Sequence, residues 1–234
     1  MNGPIPDLLR SEPDPTPPAP ERPAWRNPLT ITFAALAVVA VLVAGLAVRG
    51  AFGPYAPEPG SVDVGFAQDM STHHRQAVEM ASWERDRTTD PRLRQLAFDI
   101  ESTQNQQIGR MQGWLALWNA PNLPTGGHMA WMADSSHGHS PGAPESLARM
   151  PGMATTEDLA RMRATPEPEL DVVFLQLMLR HHEGGVSMLE YARDHADTAE
   201  VRNLATQMLA SQVPEAELMR GMLAERGAEP LPMN

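Results

Sequence analysis

The 234-residue chain contains no cysteine. That excludes disulfide staples, thiolate zinc sites, iron–sulfur clusters and cysteine nucleophiles. Lysine is missing as well, because all 18 basic residues are arginine. A lysine Schiff base and a P-loop lysine are therefore unavailable. Positive charge is in short supply, with 29 Asp+Glu giving a net charge of −11. Sequence-independent nucleic-acid binding needs the opposite sign, so no nucleic-acid partner is expected. Methionine is what the chain has in excess, and 14 of its 15 Met lie beyond residue 69.

Residues 1–28 hold nine of the 23 prolines among Asp, Glu and Arg, with no apolar period. Such a segment cannot offset its ordering entropy by burial, which predicts a disordered tail. Leu29 to Val48 then run for twenty residues without a charge. At about 1.5 Å per residue they span the roughly 30 Å hydrocarbon core of a bilayer. A secretory signal has an apolar stretch of only ~7–15 residues, so an uncleaved transmembrane anchor is expected. Arg22 and Arg26 precede the span and Arg49 follows it. The positive-inside rule then leaves the N-terminus in the cytoplasm and the rest outside a bacterial plasma membrane. Residues 49–61 read as a Pro/Gly linker, and 227–234 as a short tail.

The exported part is duplicated. FAQDMSTHHRQAVEMASWERD (66–86) aligns with FLQLMLRHHEGGVSMLEYARD (174–194) at an offset of 108. The same offset pairs RQLAFDIESTQNQQIGRMQGWL (94–115) with RNLATQMLASQVPEAELMRGML (202–223) without a gap. Phe66, Met70, His73, Ala77 and Met80 step by four and three, as do Phe174, Met178, His181, Gly185 and Met188. That is helical periodicity. The returning segments give Leu93, Ala97, Ile100, Gln104, Gln107, Met111 and Trp114, then Val201, Ala205, Met208, Gln212, Glu215, Met219 and Met222. The pattern predicts an all-α fold, a four-helix bundle made of hairpins 62–118 and 168–226. Asp90-Pro91 fits the start of the second helix and Pro168 the first turn of the third. Pro214 should kink the fourth. The joining insert, 119–167, should be loop with one short helix at 155–163 capped by Thr155 or Thr156.

Both stripes place Met and His where a bundle would ordinarily carry Leu. Met70, His73, His74 and Met80 in one half, and Met178, His181, His182 and Met188 in the other, could meet in one core region. Tight antiparallel turns would set His73 level with Gln104 and Met70 with Gln107. They would likewise set His181 near Gln212 and Met178 near Glu215. These four polar residues are candidate ligands or supports for the imidazoles. Thioether with imidazole is a soft donor set that favours Cu(I), or Ag(I) as its mimic. Structural zinc prefers Cys and His in closed tetrahedra, and di-iron bundles need Glu-x-x-His motifs, which are absent. The insert offers a further set, His128, Met129, Met132, His137, His139, Met150 and Met153, able to form a surface copper site. Trp131 could shield a monovalent cation there. Against these stand plainer readings: Met as core filler and His satisfied by hydrogen bonds.

At these residues the chain resembles domain-of-unknown-function family 305, a ferritin-like four-helix family with periplasmic copper-binding members. The resemblance covers about 62–226 and rests on Met-x-x-His-His at Met70–His74 and Met178–His182. Gln212, Glu215, Met219 and the Met-Pro-Gly-Met turn at 150–153 also match. It implies an extracytoplasmic role in copper binding or resistance with Met and His as ligands. Gln107 departs from Glu215 at the equivalent place, so the halves need not bind metal equally.

The expected function is a membrane-anchored Cu(I)-binding protein for copper buffering, tolerance or delivery, exchanging copper with a transporter or another copper protein. No catalysis is expected. Replacing His73 and His181 together should abolish core binding. The alternatives are a ferritin-like metal oxidase, a metal-free interaction module, and a pH sensor built on paired His.

Overall fold

A computed structural model describes residues 27–52, 56–132 and 149–234. The expected N-terminal tail, His137 and His139 lie outside them. Every regular element among the described residues is helical, without strands. The chain divides into two compact units, Met1–Pro54 and Tyr55–Asn234. The first contains α1 (Pro28–Phe52), which continues four residues past the apolar span expected from sequence. Its segment Pro28–Ala47 has a mean hydropathy of 2.6, and none of it is buried. It is long and apolar enough to cross a membrane, which fits an anchor or a signal sequence.

The second unit holds α2 (Val62–Arg85), α3 (Pro91–Leu117), α4 (Thr156–Ala164), α5 (Glu169–His195) and α6 (Ala199–Glu225). Side-chain caps fix the starts of all of these but α5. Ser61 accepts from the Val64 amide, Asp90 from Arg92 and Thr198 from Val201. Thr155 and Asp158 make a reciprocal capping box at α4. Pro91 occupies the first turn of α3, where its missing N–H costs nothing. Pro168 precedes α5 instead of entering its first turn, and α6 continues through Pro214. A short 3-10 turn, Ala130–Met132, adds to the single helix expected in the insert.

Helix α3 packs along α2, α6 along α5, and α2 and α5 lie against each other. Two buried clusters result, and all four long helices contribute to both. One contains Met80, Met178, Ile100 and Met219, the other Met70, Met188, Met111 and Met208. Each hairpin also clasps the turn of its neighbour. Asp63 at the start of α2 is fully buried and accepts from the Asp197 and Thr198 amides, both at 2.9 Å. Its repeat mate Asp171, at the start of α5, accepts from the Thr88 hydroxyl at 2.8 Å in the α2–α3 turn. Carboxylates at equivalent positions thus close equivalent turns, which holds α2 and α5 in register across the pseudo-twofold.

Candidate metal centre

The clasped pair α2–α5 brings the two His-His motifs together midway along the helices. His73 and His181 lie against each other with ring centroids 3.8 Å apart and planes tilted by 38°. His74 and His182 flank them, each 6.5 Å from its chain neighbour's ring. All four imidazoles are buried to within 1%. His181 Nε2 pairs with the His73 carbonyl at 2.9 Å, whereas His73 Nε2 turns to the Pro151 carbonyl at 3.3 Å. The symmetry fails at this point because a turn from the insert covers one side.

The outer pair keeps the symmetry. His74 Nε2 lies 2.7 Å from Gln107 Oε1, and His182 Nε2 lies 2.8 Å from Glu215 Oε2. An amide or carboxylate oxygen can only accept, so each Nε2 carries the proton and donates. In the neutral ring Nδ1 is then the atom that presents a lone pair. The Nδ1 atoms of both His74 and His182 are buried with no hydrogen-bond partner. Gln104 Oε1 is buried and unpartnered as well. Buried polar atoms are nearly always satisfied, so a matched pair of orphans in two repeats points to a missing ligand. An imidazole whose other nitrogen donates to a fixed oxygen is the arrangement metal-binding histidines use.

Burial keeps three of the four rings in the ligating form. Burial pushes His73 down to about 4 and, aided by repulsion from His73, His74 down to about 3. His181 is lowered well below its ordinary value, first by burial and then by the neighbouring imidazoles. These three rings are neutral at pH 7, with lone pairs available.

The register differs from the expectation of tight turns. Gln107 reaches His74 and Glu215 reaches His182, each one helical turn beyond the Met70 and Met178 predicted to face them. Helical side chains lean toward their own N-terminus. On antiparallel helices they tip toward each other and join residues whose backbones are a turn apart. Gln212 stays close to the centre. A methyl group placed at Gly185 would stand 3.3 Å from His73 Cε1 and 3.7 Å from Gln212 Oε1.

Among the eight core candidates, the four Met divide between the two buried apolar clusters. The four His occupy the middle, Met70 and Met188 belong to the apolar cluster on one side, and Met80 and Met178 to the other. All four Met are buried. The insert residues are less of a surface site than expected. Met129 and Met150 are buried in the cluster of Met70 and Met188, with Met132 and Met153 packed against it. His128 Nδ1 is 2.7 Å from Asp69 Oδ1, and Asp69 Oδ2 accepts from the Met129 amide and the Trp131 indole. Asp69, buried on α2, thereby anchors this end of the insert, so Trp131 packs inward against Phe66.

The sequence marks the turn at 150–153 by its Met-Pro-Gly-Met pattern and its methionines, but not its contact with His73. Gln76 grips Ala154 with both ends of its amide, at 2.7 and 3.0 Å. Gly152, at φ +77°, and Gly184 allow the turn to touch α5. A methyl group on Gly184 would fall 2.4 Å from the Pro151 oxygen and 2.6 Å from Gly152 Cα. Both are backbone atoms, so Gly184→Ala must push the turn off His73. The expected cost is about 1–3 kcal/mol in urea unfolding, and an unchanged midpoint would contradict this packing.

Residues 63–223 match the domain of unknown function DUF305, and the chain belongs to that family. A solved DUF305 protein of Streptomyces coelicolor is 40% identical with a TM-score of 0.66, covering 75% of this chain and 99% of its own. A DUF305 fragment from Deinococcus radiodurans is 31% identical with a TM-score of 0.57, covering 73% and 99%. The fold is also that of CopM in its Cu(I)-bound form, at 21% identity and TM-score 0.52 over 70% of this chain and 96% of that one. CopM has been solved with Cu(II) and with Ag bound too. Protein L153 of Acanthamoeba polyphaga mimivirus is 40% identical over 53 residues, which are 23% of this chain and 35% of that protein.

Proposed function

We propose that the chain is a membrane-anchored, extracytoplasmic protein that binds copper as Cu(I) and buffers it or hands it on. Its four long helices act as a ferritin-like bundle with the imidazole quartet as the binding core. The observation that carries this reading is the pair of buried, unpartnered Nδ1 atoms on His74 and His182. Their donor chemistry fits copper. The centre offers neutral imidazole with thioethers in the flanking clusters and no thiolate, a soft set for a soft monovalent ion. CopM, which shares the fold, has been solved with copper and with silver, the metals such a set prefers. The α1 segment supplies the anchor, and the acidic surface concentrates cations near the protein. Copper is cargo in this scheme. It moves by exchange of imidazole and thioether ligands, and no bond-making step is required of the protein.

The test is a competition titration of the full chain in detergent micelles with Cu(I), anaerobic and reducing, against a chromogenic chelator. Tight Cu(I) binding with little response to Zn(II) or Fe(II) is expected. A chain that takes no Cu(I) from the chelator would overturn the reading.

A further inference from the structure

A second cluster of unsatisfied groups lies away from the histidines. Glu84, Glu167 and Asp171 each place a carboxylate oxygen within 4.8 Å of the other two. Glu84 comes from the last turn of α2, Glu167 from the segment ahead of α5, and Asp171 from the first turn of α5. Glu84 is eleven residues beyond His73, roughly 16 Å along the helix axis.

The repeat separates what is structural here from what is added. Asp171 has a counterpart in Asp63, and both close a neighbouring turn. Glu84 has none, since its mate at the offset of 108 is Ala192, a fully buried core residue. One half of the molecule thus carries a carboxylate where the other carries a methyl group. Glu84 is 0% exposed, and no donor reaches either of its oxygens; without a cation, only a proton held on the carboxyl itself links it to Asp171. Both Glu167 oxygens are buried and unpartnered too. Arg226 is the cation facing the cluster, and it is shared. Its Nη2 donates to Asp90 at 2.6 Å and to Asp171 at 3.1 Å. With all four carboxylates ionised, one guanidinium leaves three negative charges uncompensated. Left without a cation, burial and the neighbouring Asp171 carboxylate push the Glu84 carboxyl up to about 9.

We infer that Glu84, Glu167 and Asp171 form a binding site for a hard divalent cation, separate from the histidine centre and of opposite chemical preference. The donors are all oxygen, from three carboxylates with open lone pairs, the set that suits Ca2+ or Mn2+ and not Cu(I). A cation there satisfies the four orphaned glutamate oxygens and ties the end of α2 to the start of α5. It reinforces the clasp that Asp171 makes with the α2–α3 turn. The softness of the donors thus sorts metals between two places in one chain.

Titration of the full chain in detergent with MnCl2, following the electron paramagnetic resonance signal of free Mn2+, tests the site. One Mn2+ bound per chain and a raised Tm are expected, with Ca2+ competing. Glu84→Ala installs the residue that the repeat carries and should fold, while losing the Mn2+ and the Tm rise. Glu167→Gln, at a less buried position, should weaken binding at least tenfold. His74→Ala with His182→Ala should leave Mn2+ binding intact, and Glu84→Ala should leave the Cu(I) titration intact. No Mn2+ or Ca2+ binding at millimolar concentration would overturn the inference. So would Mn2+ binding that survives both glutamate variants, or that disappears with the histidines.

Discussion

A chain carrying His74→Ala together with His182→Ala is expected to lose its tight Cu(I) site. The loss should exceed the roughly 10–100-fold that removing an outer-shell partner costs, because both unpartnered Nδ1 atoms disappear. The inner pair is a poorer target than sequence suggests. His73 and His181 already spend Nε2 on the Pro151 and His73 carbonyls, and their rings, tilted 38° to each other in close contact, help hold α2 on α5. Their removal confuses a lost ligand with a damaged core. The readout is Cu(I) affinity together with the copper-dependent rise in melting temperature. For the wild type, free Cu(I) at 100 times Kd should add about 2.7 kcal/mol of stability. The double variant should show neither tight binding nor the rise. Retention of both would remove the outer imidazoles from the site.

The two halves should also differ. Glu215 gives His182 a carboxylate acceptor, whereas Gln107 gives His74 only an amide. A carboxylate makes the imidazole more basic and a better donor to metal. The His182 side is thus expected to bind metal more tightly, an expectation that rests on Gln107 standing where the other half has Glu215.

The helices were legible because three local signals agreed. The four-and-three stripe, the cap at Asp90 and the offset of 108 agree on the long helices, and Thr155 marks the short one in the insert. The face that collects the histidines followed from that periodicity. Which atoms are free did not, because Pro151 reaches His73 from 78 residues away through contacts at Gly152 and Gly184. Nothing local announces such contacts. Met129 is buried and not at the surface for a related reason, since the carboxylate that draws its loop inward, Asp69, sits 60 residues earlier. Glu84 was legible in principle. It is the next step of the buried stripe after Met80, where the other half continues from Met188 to Ala192. A charged residue on an apolar stripe, unmatched in its repeat, is a signal that the Met and His pattern overshadowed.

Acidification of the metal-free protein should unfold it, with stability falling steadily from about pH 6.5 toward pH 4. The cause is proton linkage at the buried rings. In the unfolded chain an imidazole titrates near 6.5, but His73 in the folded protein is held at about 4 and His74 at about 3. At these imidazoles the unfolded state binds more protons than the folded one between these values, so their contribution to stability drops as pH drops. The raised Glu84 and Glu167 carboxyls work in the opposite direction and reduce the slope. The stabilisation is fully present above 6.5 and is lost as pH falls through the folded values. His73 alone accounts for on the order of 3 kcal/mol over that window. That is a large share of the roughly 5–15 kcal/mol that holds a domain folded. Bound Cu(I) competes with protons for the same lone pairs, so loading should move the acid midpoint to lower pH. The His74→Ala, His182→Ala chain should have a shallower acid limb, and Cu(I) should no longer shift it. Circular dichroism across the pH range, with and without metal, measures both. An acid midpoint that ignores copper in the wild type would separate the buried imidazoles from metal binding and leave them as core residues.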